Sequence, residues 1–195
     1  VDGAMKEIGG LKPYIITRLG LARTFQNIRL FKELSVLDNV KIAMHKNIHY
    51  GSLQAIFRTP AFYREEALVK ERAKDLLKVV NLYEKRNEKA KNLPYGEQRR
   101  LEIARALATE PKILFLDEPA AGMNPQETAD LTKLIHQIKE QYNLTIVLIE
   151  HDMSLVMTIC ERIYVLDYGK CIANGIPEVI KQDKRVIKAY LGEDI

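Results

Sequence analysis

The segment Ile113-Leu-Phe-Leu-Asp117-Glu118-Pro119 does more than any other to limit the folds open to this chain. An unbroken apolar run of this length reads as a strand buried on both faces, and it ends on two adjacent carboxylates at a sheet edge. Such a pair can divide labour. Asp117 would hold Mg²⁺ directly or through water, and Glu118 would polarise a water for attack on a γ-phosphate. Taken alone, the motif is matched equally well by a buried strand meeting a helix cap.

Two other segments favour the chemical reading. Leu144-Thr-Ile-Val-Leu-Ile149 is a second apolar run and ends on Glu150-His151-Asp152, which brings an imidazole to the same edge if the strands are parallel. Upstream, Leu93-Pro-Tyr-Gly96-Glu-Gln98-Arg-Arg100 precedes a segment with Leu101, Ile103, Ala104, Leu107 and Ala108 at helical spacing. Gly96 and its neighbours then lie at a helix N-terminus, where backbone N–H groups attract phosphate. Arg99 and Arg100 read as a solvated helix face.

The remaining pattern is one α/β domain with a helical insertion. Strands are expected at Lys112 to Asp117, Thr145 to Ile149 and Ile163 to Asp167, with Gln126 to Tyr142 as a crossover helix and a short helix near Ile15 to Leu19. A strand remnant opens the chain, and a further strand leads into Gln26. From Asn27 to Asn92 the texture is helical: Val36 to Met44 follows the cap candidate Ser35, and Phe62 to Val80 repeats the pattern. Tyr168-Gly169 reads as a hairpin turn. With 195 residues, 47% of them apolar, the chain can bury a sizeable core, and no apolar run is long enough to span a bilayer. A net charge of +4 with interleaved signs gives no support to a nucleic-acid partner. Cys160 and Cys171 lack metal or disulfide spacing, which suits a reducing cytoplasm.

Taken together these motifs resemble the ATP-binding subunits of ABC transporters, a P-loop NTPase fold with a mostly parallel sheet and an inserted helical subdomain. Leu93 to Gln98 stands where that family carries its signature motif, Ile113 to Glu118 is similar to its Walker B strand, Ala121-Gly-Met-Asn124 to the D-loop, Ala22-Arg-Thr-Phe-Gln26 to the Q-loop, and His151 to the switch histidine. Finer texture, such as Gly20-Leu-Ala-Arg-Thr-Phe-Gln-Asn-Ile-Arg-Leu-Phe31 and Ile149-Glu-His-Asp-Met153, resembles the larger ATPase subunit of high-affinity branched-chain amino-acid importers.

The resemblance implies one ABC ATP-binding domain over residues 1–195, with residues 27–92 as its helical subdomain. It implies ATP and Mg²⁺ as ligands and ATP hydrolysis coupled to transport as activity. Glu118 would be the general base, His151 the γ-phosphate contact, Gln26 the sensor of γ-phosphate, metal and water, and Asp117 the metal ligand. In the family two subunits pair head to tail, each ATP lying between the P-loop of one and the signature helix of the other. Tyr95, Gly96, Glu97 and Gln98 would therefore touch a nucleotide in trans, and Asn124 would reach across the dimer. Pro94 and Tyr95 replace the usual serine and glycine of the signature, so one hydroxyl and one backbone donor are lost.

The implied partners are a second ATP-binding subunit and permease subunits received by the helical subdomain, where Phe31, Leu34, Val36 and Leu37 are candidates. The implied location is peripheral, on the cytoplasmic face of the membrane. No Gly-x-x-x-x-Gly-Lys-Ser/Thr loop occurs in the chain, so the domain is expected to be truncated at its N-terminus and inactive alone. The strand bearing that loop is central in the family, so β-strand faces beside it are expected to lie uncovered. Two other readings stay open: a soluble ABC ATPase outside transport, and a non-catalytic interaction fragment.

Overall fold

The computed structural model describes residues 7–47 and 56–191. They fall into two compact units, Val1–Val147 and Leu148–Ile195.

The first unit begins with α1 (Pro13–Arg18), which carries its proline in the first turn where a missing N–H costs nothing. Gly20, at φ 90°, turns the chain into β1 (Leu21–Arg23). β1 pairs in parallel with β2 (Ile113–Asp117), Leu21 opposite Ile113 and Arg23 opposite Phe115. The sheet order is β1-β2-β3, with β3 spanning Thr145–Ile149. Among the described residues ahead of β1 there is no strand, so the opening remnant expected from the sequence is not seen there. One face of β2 is covered, Leu114 and Leu116 being fully buried, while Ile113 and Phe115 on the other are only half-buried. On β3, Val147 and Ile149 are exposed.

Between β1 and β2 the chain is helical, as the spacing of apolar residues requires. α2 (Val36–Ala43) is capped by Ser35, whose Oγ accepts the Asp38 N–H at 3.0 Å. α3 (Pro60–Val79) starts at Thr59 and buries Val69, Ala73, Leu76 and Leu77, one stripe of a 3.6-residue period. Each fully buried leucine of this kind contributes about 2 kcal/mol. α4 (Tyr95–Leu107) follows, with Leu101, Ile103 and Ala104 in the core. Val36, expected among partner-facing residues, is completely buried, as is Val40 one turn later; Phe31 and Leu34 are exposed and Leu37 half-buried. Between them Asn39 is a buried staple. Its Oδ1 accepts the Phe31 N–H at 2.9 Å, and its Nδ2 donates to the carbonyls of Phe31 and Ser35, each at 3.0 Å.

α5 (Pro125–Gln141) is the crossover into β3. It opens with a reciprocal cap: Glu127 N–H donates to Asn124 Oδ1 at 2.9 Å, and Asn124 N–H to Glu127 Oε2 at 3.0 Å. The other carboxylate oxygen of Glu127 lies against Gly96, where an added Cβ would meet it at 2.9 Å. The bare glycine therefore lets the first turns of α4 and α5 approach.

In the second unit, Asp152 caps α6 (Met153–Ile159) by accepting the N–H groups of Ser154 and Leu155. β4 (Ile163–Asp167) and β5 (Lys170–Gly175) form the expected hairpin through Tyr168 and Gly169, both at positive φ, 43° and 76°. α7 (Pro177–Ile180) and α8 (Lys184–Leu191) close over it, burying Val156, Ile163, Val165 and Ile180 together. Cys160 and Cys171 are free thiols. Among the described residues no helix is long and apolar enough to cross a membrane.

Asn39→Ala takes away the acceptor of the Phe31 N–H, while the Phe31 and Ser35 carbonyls keep the N–H groups of Leu34 and Asn39, and should cost about 1–3 kcal/mol in urea unfolding. Gly96→Ala should displace Glu127 from the cap and cost about 1 kcal/mol. Because Glu127→Ala removes the same hydrogen bond, the double variant should destabilise by clearly less than the sum, measured by thermal melts.

Candidate functional site

The β1–β2 register carries past the strand ends and builds the site. Beyond the pair Arg23–Phe115, Thr24 N–H donates to the Phe115 carbonyl at 2.9 Å, and Asp117 N–H donates to Thr24 Oγ1 at 3.3 Å. Gln26 and Glu118 then meet side by side, Gln26 Nε2 donating to Glu118 Oε2 at 2.6 Å. Arg23 Nη2 donates to Asp117 Oδ2 at the same distance. Each carboxylate at the end of β2 thus has a partner from β1 or the loop after it, a guanidinium for Asp117 and a neutral amide for Glu118.

Glu118 sits in the left-handed region at φ 44°. A side chain pays for that conformation, and such outliers gather at functional sites. The turn that follows is held by hydrogen bonds from Ala121 N–H to the Glu118 carbonyl and from Met123 N–H to the Ala120 carbonyl. Gly122, at φ 77°, packs against the Tyr95 ring, 3.6 Å from where a Cβ would stand.

Tyr95, Gly96, Glu97 and Gln98 form the first turn of α4, which has no side-chain cap at Pro94. Glu97 is engaged by Lys85 Nζ, 2.7 Å from Oε2, and by Arg100 at 3.8 Å. Gln98 Nε2 donates to the Leu93 carbonyl at 2.8 Å. Asn124 spends its side-chain oxygen on the cap of α5. His151 belongs to the second unit, just after β3; its imidazole is largely exposed, and Nδ1 lies 4.0 Å from the buried Glu150 carboxylate.

Arg99 corrects the sequence reading. It is not on a solvated face but 2% exposed, donating from Nη1 to the Phe25 carbonyl at 2.5 Å and to Glu102 Oε2 at 3.1 Å. Its Nη2 donates to the Gln26 carbonyl and to Tyr95 Oη. One turn on, Glu102 accepts the Arg29 N–H at 3.3 Å, and Arg105 donates to the Arg29 carbonyl while stacking over Phe31 at 5.0 Å. Burial holds the Arg105 guanidinium below its ordinary value, opposed by Glu102. Charges of alternating sign stand at every third position of this helix, a pattern that a solvated face shows as well and that does not by itself signal burial.

The donor set suits Mg²⁺. The Asp117 carboxylate and the Gln26 amide supply hard oxygens, and among the described residues no group of three or more His, Cys, Asp or Glu side chains forms a metal cage. Magnesium held by one carboxylate with water and substrate phosphates fits that arrangement.

Known proteins place the chain. A family model described as "ABC transporter" matches residues 5–121, and one described as "Branched-chain amino acid ATP-binding cassette transporter" matches residues 170–195. The chain is 50% identical over 193 residues to the high-affinity branched-chain amino acid transport ATP-binding protein BraF of Pseudomonas aeruginosa, covering 99% of this chain and 75% of that protein. It is 48% identical to LivG of Escherichia coli, a protein of the same description, over 96% of this chain and 74% of the relative. Among solved structures, the ADP conformation of MJ1267, an ATP-binding cassette of an ABC transporter, superposes with a TM-score of 0.77 at 30% identity, covering 96% of this chain and 74% of that one. Matched by the first model over more than half its length and covering three quarters of a relative with which it shares half its residues, the chain belongs to the ABC transporter family as one of its ATP-binding cassettes.

Proposed function

We propose that this chain is the ATP-binding and hydrolysing part of an importer for branched-chain amino acids, coupling hydrolysis to transport. The substrate class is supported by the likeness to BraF and LivG, high-affinity branched-chain amino acid transport ATP-binding proteins, and by the second family match. The observation that supports the hydrolytic role most is the Gln26–Glu118 hydrogen bond beside Asp117, at the carboxyl ends of β1 and β2, where open α/β sheets take their ligands.

In this reading Glu118 is the general base. The Gln26 amide holds Glu118 Oε2 and so orients the carboxylate that accepts the proton of an attacking water. Asp117 serves the metal, and Arg23, 2.6 Å away, orients its carboxylate. Asp117 and Gln26 would hold Mg²⁺ there, and the charge it supplies would offset that of the phosphates. Gln26 reports the state of that cluster through its amide, and His151 contacts the γ-phosphate and orients it. The first turn of α4 offers Tyr95 and Gly96 to a nucleotide held by a second subunit. There the engaged side chains of Glu97 and Gln98 brace the turn, and Asn124 stands at the adjoining dimer surface.

The partners are a second ATP-binding subunit, identical or related, and permease subunits. The helical subdomain of residues 27–92 receives the permease near the exposed Phe31 and Leu34. Nucleic acid is not among the partners. The location is the cytoplasmic face of the membrane, at its periphery.

In the assembled transporter, Glu118→Gln should lower hydrolysis stimulated by a loaded branched-chain amino-acid binding protein by about a hundredfold or more while ATP binding persists. Retained turnover would refute the assignment of the base. Stimulation by a different class of solute, with none by leucine, isoleucine or valine, would refute the substrate.

A further inference from the structure

The buried guanidinium of Arg99 is used by none of the roles above, yet it touches two of the elements that carry them. Its acceptors toward the Q-loop are the carbonyls of Phe25 and Gln26, the peptide groups on either side of the Gln26 Cα. The Gln26 side chain in turn ends on Glu118 Oε2 at 2.6 Å. On its other side Arg99 meets Tyr95, through the phenol oxygen at 3.1 Å and the ring face at 5.6 Å. Tyr95 and Arg99 are one turn apart on the same helix, a stiff connection. The ion pair with Glu102 keeps the charge tolerable inside the protein, while Nε has no hydrogen-bond partner among the described residues. An arginine whose fork is spent on two successive main-chain carbonyls fixes a backbone more tightly than it rewards stability.

We propose that Arg99 is a positioning residue that ties the signature turn of α4 to the Gln26–Glu118 pair of the same chain. The proposal rests on the hydrolytic reading and on head-to-tail pairing of two cassettes. In such a pair, the Tyr95 turn of this chain faces one nucleotide, while its Gln26 and Glu118 serve the other. A displacement of the turn by phosphate is passed through Arg99 to the Gln26 backbone and changes how Glu118 is held. Arg99 is therefore the intrachain link between the two nucleotide sites.

The test is steady-state hydrolysis against ATP concentration in the assembled transporter. Arg99→Lys keeps the charge but can serve only one carbonyl at a time. It should lower kcat about tenfold with KM for ATP changed by less than about twofold. Its Hill coefficient should fall to about 1 from a higher value in the parent. Arg99→Gln combined with Glu102→Gln removes both charges of the buried pair, leaves no lone charge inside, and should show the same kinetic change. Wild-type kcat and Hill coefficient in these variants, even with earlier melting, would overturn the proposal by showing a purely structural role. A raised KM at unchanged kcat would overturn it as well, because that is loss of binding. Glu118→Gln measured alongside separates the two levels: activity in that variant sinks the hydrolytic reading, whereas a dead Glu118→Gln with a normal Arg99→Lys sinks only the link.

Discussion

The parallel register of β1 on β2 is the constraint from which the site follows. Arg23 stands opposite Phe115, so Gln26 and Glu118 lie at equal distances along the chain beyond a matched pair, and their side chains converge. A slip of one residue would turn Gln26 to the other face and leave Glu118 without its amide partner. Thr24 guards against that slip. Its N–H binds the Phe115 carbonyl and its hydroxyl oxygen accepts the Asp117 N–H, so one buried residue just past β1 holds two positions of β2 where the ladder ends.

α4 adds a second constraint that is electrostatic. Burying Arg99 and Glu102 takes two charges out of water, and well-packed apolar residues in their place would often be as stable or more so. What the ion pair provides is direction. Arg99 grips the chain at Phe25 and Gln26, Glu102 and Arg105 grip it at Arg29, and the aromatic ring of Phe31 lies under the Arg105 guanidinium. The segment after β1 has little regular structure of its own, so this polar face of a rigid helix takes over the work that a strand or helix ladder does elsewhere.

Much of the fold was legible in the sequence because it follows from local physics. The runs 113–117 and 145–149 are strands, Ser35 caps the helix it precedes, and Tyr168-Gly169 makes the hairpin turn. The nearness of Gln26 to Glu118 was reachable only through resemblance, since it depends on pairing across 92 positions of sequence. Arg99 was misread for a definable reason. Arginine beside arginine at a helix start is usually solvated, and the groups that satisfy this one are backbone carbonyls 74 and 73 residues away, which leave no mark in composition or periodicity. Val36, a partner candidate for which burial in its own domain was the commoner reading, is core: apolar spacing identifies a helix face but does not say whether the cover is the chain itself or a partner.

The first turn of α4 bears on how the variant signature would meet an anion in the proposed reading. Pro94 removes a donor and no side chain caps the helix, so the free N–H groups of the turn keep their partial positive charge. Glu97 would oppose an anion there, but its carboxylate is paired to Lys85 and flanked by Arg100, which spreads and offsets its charge. The side that Gly96 leaves bare is filled by the Glu127 carboxylate, and Tyr95 is braced by Gly122 and Arg99. In the proposed reading, what the turn offers an anion in place of a serine hydroxyl is its main-chain N–H groups, with the Glu97 charge offset by Lys85 and Arg100.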